Sequence, residues 1–268
     1  MPGAPDPLYV QARRVLLDAT DALAEQLDAI VLVGAQAIYL HTGDAGLAIA
    51  EYTTDADFSI GPADLTDSPL LAELMTAGGF VPDQHPGAWL SPDRITVDLM
   101  VPEALAGAGS RGARLGTHGK RVARRAKGLE GALVDRDRMT IAALDPTDNR
   151  SVSMLVAGPA ALLVAKTHKI AERAGDTTRL RDKDALDVLR ILQATSTPDL
   201  AGRLRRMRDD SLSASATDEA IALLRPLFGQ PDAPGVEMAV RAAGPNADPE
   251  TIAASLTVLV TELIDLDH

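Results

Sequence analysis

The segment Glu51–Ile60, EYTTDADFSI, reads as a β-strand that is apolar where a buried strand should be, yet Asp55 and Asp57 sit one residue apart at its start. In a strand, residues i and i+2 project from the same face, about 6.5–7 Å apart. Two ionised carboxylates facing a partly dry site repel each other and lose hydration, and a hard divalent cation between them removes both penalties. The same D-x-D also describes a strand end with solvated charges, so the rest of the chain has to separate the two readings.

A third carboxylate, Asp98, lies in RITVDLMV between Val97 and Leu99, where an unpaired charge is costly. If that strand runs beside Asp55–Ile60, three carboxylates converge on one edge. Two-metal phosphoryl-transfer sites are built this way: one ion activates the attacking oxygen, and the other holds the triphosphate and leaving group.

Around these strands the spacing predicts a first helix over Leu8–Ala29, a strand Ile30–Val33, a glycine turn at Gly34 and a helix to about His41. Gly43–Tyr52 reads as a loop or weak strand. TDSPLLAELMTAGGF carries helix start and stop signals, and HPGAWLSPDRITVDLMVP suggests a hairpin with Arg94–Val101 as its second strand. Ala104–Leu129 holds seven Lys or Arg residues and no acid, and four of its first thirteen residues are glycine, so it reads mostly as loop. Strands follow through GALVD, MTIAAL and SVSMLVAG. Beyond Gly158 the pattern is helical: Pro159–Arg173, Asp182–Ala194, Pro198–Arg208, Thr217–Leu227, Pro234–Ala243 and Pro249–Leu266. Mixed strands and helices followed by helices alone argue for an α+β domain, residues 1–157, with a helical domain, 158–268.

Three further stretches bear on chemistry. In VLVGAQA, Gly34 would let backbone N–H groups of the turn and of Ala35 approach a phosphate at a helix start, though a plain strand-to-helix turn looks the same. In GPAALLVAKTHKIAER, Lys166, Lys169 and Arg173 fall within roughly 60° of one helical face, a stripe suited to phosphates or to solvent. DKDALDVLRIL puts Asp184 and Asp187 on one face, away from Leu186, Leu189 and Leu192.

The bulk properties narrow the setting. The 268 residues carry a formal charge of −12, which disfavours a generic nucleic-acid coat but leaves room for a local basic groove. The absence of cysteine excludes disulfides and thiolate metal sites and fits a reducing cytoplasm. The start MPGAPDPLYVQARR lacks the signature of a signal peptide, and no apolar stretch of about 18 residues predicts a membrane span.

In that order, VGAQA, TTDADFSI, VDLMVPE, VAKTHKIAER and DKDALDVLRIL resemble the AbiEii/MenT nucleotidyltransferases of the DNA polymerase beta superfamily, over about residues 30–193. Many of those bacterial proteins are toxins of toxin–antitoxin pairs. The resemblance implies a nucleotidyltransferase-like mixed sheet with flanking helices, followed by a C-terminal helical domain. It implies two Mg²⁺ ions held by Asp55, Asp57 and Asp98, the last also able to activate an acceptor hydroxyl. Gly34 would form the nucleotide turn, Ala35 and Thr53 would also bind the nucleotide, Lys166, with Lys169 and Arg173, would meet the triphosphate, and Asp184 would support the site. The implied reaction moves NMP from an NTP to a hydroxyl, which in MenT toxins is the tRNA 3′ end, with a cognate antitoxin as a partner.

The chain departs from that pattern at three points. Gly34-Ala35 stands where Gly-Gly or Gly-Ser is usual, Glu51 replaces an arginine, and the Gly34–Asp55 interval is long. A non-catalytic nucleotide- or partner-binding member of the fold therefore stays open, as does transfer to a small acceptor of the aminoglycoside type. Arg111, Arg114, Lys120, Arg121, Arg124 and Arg125 could grip RNA phosphates, an acidic partner, or the chain's own acids. Other motifs fail: G-x-G-x-x-G is absent, GTHGKR is no P-loop, AGSRG lacks the flanks of a nucleophile elbow, and the five histidines show no zinc spacing.

Overall fold

A computed structural model describes residues 6–43, 53–173, 182–245 and 247–267; Glu51 and most of the Gly43–Tyr52 connection lie outside the described residues. Helix α1 (Pro7–Ala22) opens with Asp6 accepting from the Leu8 N–H at 2.8 Å and proline in the first turn. The α-helix stops at Ala22, and Ala24–Ala29 tightens to 3₁₀. The expected single helix ends early because Gln26 is buried and gives its amide to Thr66 O and Pro69 O while accepting from Thr66 N. A tertiary tether to the 66–69 loop outweighs helical periodicity there.

Strand β1 (Ile30–Val33) leads directly into α2 (Gly34–Thr42), followed by β2 (Asp55–Ile60) and α3 (Leu71–Ala77). Short strands β3 (Val81–Pro82) and β4 (Ala88–Leu90) precede β5 (Thr96–Pro102), and β6 (Arg124–Ala126) emerges from the glycine-rich basic segment. Strands β7 (Arg136–Ala142) and β8 (Ser151–Ala157) complete a mixed sheet of order β3-β4-β5-β2-β1-β8-β7, with β6 paired to the far half of β5. The α+β reading and the expected hairpin, β4 antiparallel to β5, are therefore present.

One stretch differs. GALVD forms no strand but a 3₁₀ turn at Glu130–Leu133. A short apolar run cannot by itself distinguish strand from buried turn. Here Gly131 lies so close to Met207 that a Cβ would come within 2.3 Å of its Cε, and Asp135 turns back to accept from Ala160 N and Ala161 N, both at 3.1 Å. That carboxylate caps α4 (Pro159–Arg173) and also takes Arg203 at 2.8 Å.

After α4 come α5 (Lys183–Ala194), α6 (Thr197–Asp209), α7 (Ala214–Phe228), α8 (Pro234–Ala243) and α9 (Pro249–Asp267). The sheet's apolar alternation explains its layers. Ala56, Phe58 and Ile60 of β2 and Val97, Leu99 and Val101 of β5 are fully buried, and α1 and α3 pack together, with α1 against β2, β5 and β8. The residues between them, Asp55, Asp57 and Asp98, occupy the other face. There α2, α4 and α5 pack against one another, and one continuous apolar core joins sheet and helices. No described helix is long and apolar enough to cross a membrane.

Candidate active site

Parallel pairing of β2 and β5 sets Asp57 opposite Asp98 and Asp55 opposite Thr96, while antiparallel β1 sets Val33 opposite Asp57. Opposed residues of neighbouring strands share a face, so the three aspartates stand together beside the start of α2. Thr53, buried, donates its hydroxyl to Asp55 Oδ1 at 2.6 Å. Gln36, which sequence reasoning passed over, donates to the Asp55 carbonyl at 3.0 Å and to the Ala12 carbonyl at 3.2 Å, and it accepts from Arg13 at 2.9 Å. A glutamine in a helical turn otherwise made of buried apolar residues was the available signal. Its effect is to tie α1, α2 and the first residue of β2 into one unit.

Asp98 has a different partner. Arg124 donates to its Oδ2 at 3.0 Å. That arginine was grouped with the surface cations, yet β6 brings it into the site. Burial, then the neighbouring charge of Asp55, push the Asp57 carboxyl up to about 7; Lys169 and Arg124 oppose the shift, and Asp98 adds to it. The cluster is therefore electrostatically crowded at neutral pH.

Across the cleft, α4 supplies the cations. Lys166 is buried and bonds Asp184 at 2.6 Å and Asp187 at 2.7 Å. Burial alone would depress the Lys166 ammonium, but Asp187 and Asp184 together hold it well above the usual lysine range. Asp184, which burial alone would raise, is pulled well below the usual carboxylate range by Lys166, Lys169 and Arg173. Asp184 and Asp187 are both 1% exposed, so they face inward. Arg190 continues the network, meeting Asp187 at 3.3 Å and stacking 5.0 Å over Tyr39, whose ring meets Tyr9 edge-on at 5.4 Å. Lys169 stands apart: its side chain is 39% exposed, 3.6 Å from Asp184, and desolvation followed by the Lys166 charge holds it below the usual lysine value.

Between these groups opens a cleft of about 330 Å³. Val33, Gly34, Asp57, Met100, Leu129 and Leu162 line one part, and Arg124, Arg125, Lys127, Lys166, Lys169 and Arg173 line the rest, with Glu103 and Glu172 as further acids. The structure thus brings Asp55, Asp57, Asp98, Gly34, Lys166, Lys169, Arg173 and Asp184 to one region. Ala35 is buried in the first turn of α2.

The basic segment divides. Arg124, Arg125 and Lys127 pair with Asp98, Glu103 and Glu219, whereas Arg111, Arg114, Lys120 and Arg121 are exposed and make no ion pair among the described residues. Also among the described residues, no three His, Asp or Glu side chains stand arranged to hold a metal ion; one oxygen of Asp98 is engaged by Arg124 and one of Asp55 by Thr53.

No family model matches the chain, and no curated protein or solved structure matches it significantly.

Proposed function

We propose that the chain is a Mg²⁺-dependent nucleotidyltransferase of the AbiEii/MenT kind, moving NMP from an NTP to a hydroxyl acceptor. The observation that supports this most is the in-register facing of Asp57 and Asp98, with Asp55 two residues away, where Asp57 lines a cationic cleft. Three aspartates offer hard oxygen donors, and the burial and the neighbouring Asp55 charge that lift Asp57 are penalties that divalent cations would relieve. Bound ions would supply charge neutralisation for the triphosphate and activation of the acceptor oxygen.

The chain's own residues carry the remaining roles. Lys169, Arg173, Lys127 and Arg124 line the cleft and suit the phosphate oxygens. Lys166, almost fully buried at the cleft wall, is already committed to Asp184 and Asp187 and holds them rather than the triphosphate. Met100, Leu129 and Leu162 offer an apolar wall for a base. The acceptor oxygen attacks the α-phosphorus, the bond to the β-phosphate bridging oxygen breaks, and pyrophosphate leaves. A carboxylate of the trio takes the hydroxyl proton.

The acceptor proposed is the tRNA 3′ end, in a toxin restrained by a cognate antitoxin. Incubation with Mg²⁺, each labelled NTP and total tRNA should label the RNA, and Asp57→Ala should abolish the label. Label on an aminoglycoside-type acceptor and none on RNA would redirect the acceptor. A second reading, nucleotide or partner binding without catalysis, is favoured by the Arg124–Asp98 pair and by the enclosed Lys166; NTP bound without transfer to any acceptor would establish it.

A further inference from the structure

The cleft is cationic, yet an acid with unused acceptor oxygens stands on its wall. From Asp98, opposite Asp57, the same face of β5 continues through Met100 to Pro102, about 13 Å at the rise of a strand. Glu103 follows directly and lines the cleft. Strand β6 sets Arg124 opposite Met100 and Ala126 opposite Pro102. Its approach needs Gly87, where φ is +81° and a Cβ would come within 2.4 Å of Arg124 N. Met100 and Ala126, both cleft-lining and apolar, therefore lie between the aspartates and Glu103.

The Glu103 side chain is 47% exposed, with Oε1 3.5 Å from Arg125 Nε. That contact is charge without a hydrogen bond, since Arg125 Nε has no hydrogen-bond partner. The Arg125 guanidinium is fixed by the carbonyls of Gly107 and Gly109. Glu103 is thus held beside a braced cation, and among the described residues its carboxylate accepts no hydrogen bond. An acid weakens the binding of any phosphate it meets, so its place is beside an uncharged part of the ligand.

Resting on the nucleotidyltransferase reading, we propose that Glu103 is a specificity-determining residue that accepts a hydrogen bond from the exocyclic amine of the nucleobase. The phosphates lie toward Asp57 and Lys169, the base crosses Met100 and Ala126, and its polar edge meets Glu103. The substrate class selected is a nucleoside triphosphate whose base carries an amine beside a ring nitrogen acceptor, as cytosine and adenine do. Uracil and hypoxanthine place a carbonyl oxygen where that amine would be. An acceptor then faces a carboxylate that can only accept, and both go unpaired.

Equilibrium dialysis of the full chain against labelled CTP, UTP, ATP and ITP tests this, because the members of each pair differ only at that edge. In whichever pair binds, the amino base should bind at least about ten-fold tighter than its oxo counterpart. Glu103→Gln, whose carboxamide donates as well as accepts, should bring the ratio to within about two-fold. Glu172→Gln removes another acid of the same cleft, on α4, and should leave the ratio unchanged. Equal binding of amino and oxo bases by the wild-type chain would overturn the proposal. So would a ratio that survives Glu103→Gln while all affinities fall together, or one that Glu172→Gln shifts equally. If none of the four nucleotides binds, the nucleotide reading itself fails and takes the base reader with it.

Discussion

The Asp57 carboxylate occupies the space that a side chain on Gly34 would need: a Cβ there would come within 2.1 Å of Oδ2 and 2.9 Å of the Asp57 Cβ. Gly34 also has φ of +72°, a conformation that L side chains rarely adopt. The collision reaches the base of the aspartate side chain, so rotating the carboxylate does not relieve it. Gly34→Ala is expected to lower stability by about 1–3 kcal/mol through strain and to displace Asp57 from the cleft. Thermal unfolding together with Mn²⁺ binding checks this; a variant with unchanged melting and unchanged Mn²⁺ affinity would separate Gly34 from the site.

The raised Asp57 carboxyl has a defined consequence for stability. Its value rises from about 3.8 unfolded to about 7 folded, so between those limits the native state binds more protons than the unfolded state. Stability must then fall as pH rises through that window and level off above it. Asp57→Asn removes the penalty. The variant should melt above the wild-type chain at pH 8, by a free energy on the order of 1–3 kcal/mol, with the difference shrinking toward pH 4. Mg²⁺ should raise wild-type melting at pH 8 and leave Asp57→Asn unmoved. Melting curves across pH, with and without Mg²⁺, measure both effects. Wild-type stability that rises between pH 4 and 7 relative to the variant would contradict the crowding.

Lys166 and Lys169 lie on the same helix, three residues apart, yet should fail differently. Lys166→Met leaves Asp184 and Asp187 buried with their central cation gone, at a cost of about 3–5 kcal/mol. Lys169→Met removes a partly exposed charge 3.6 Å from Asp184 and should barely change melting. It should instead weaken binding of a labelled NTP severalfold. Denaturant unfolding and equilibrium dialysis run on both variants separate the structural lysine from the phosphate-facing one.

The contrast marks what a single sequence discloses. Strand alternation in TTDADFSI and RITVDLMV was sufficient for the carboxylate face, because side-chain direction in a strand is fixed by its period of two. The limits of α4 followed from a first-turn proline and a long apolar stripe. Helical phase could place Lys166 and Lys169 on one stripe, but not show that α5 would cover one and leave the other partly open. Helical phase put Asp184 and Asp187 on a face away from Leu186, Leu189 and Leu192, but could not show that α4 supplies the buried cation that encloses that face as well. Arg124 was grouped with surface cations because β6 has three residues and depends on the close approach at Gly87, a long-range contact with little local signal. Gln26 and Gln36 act through hydrogen bonds to distant carbonyls, which periodicity does not encode.

The last expectation concerns the exposed half of the basic segment. Arg111, Arg114, Lys120 and Arg121 are exposed; Arg114 and Arg121 bond the chain's own carbonyls at Ala108 and Gln84, and none of the four joins an ion pair among the described residues. Arg124, Arg125 and Lys127 pair with acids of the chain, so the segment's exposed charge outside ion pairs sits on those four. An otherwise acidic chain gives them no long-range help, and any RNA grip must be local and salt-sensitive. Replacing Arg111, Arg114, Lys120 and Arg121 with glutamate should cut RNA labelling at least ten-fold and flatten its salt dependence. NTP binding in the cleft should fall less than RNA labelling, since none of the four side chains lines the cleft, although Arg111 adjoins Ser110 of its wall. Labelling that tolerates all four reversals would move the RNA surface elsewhere; loss of NTP binding together with labelling would mean that the segment shapes the cleft instead of gripping the acceptor.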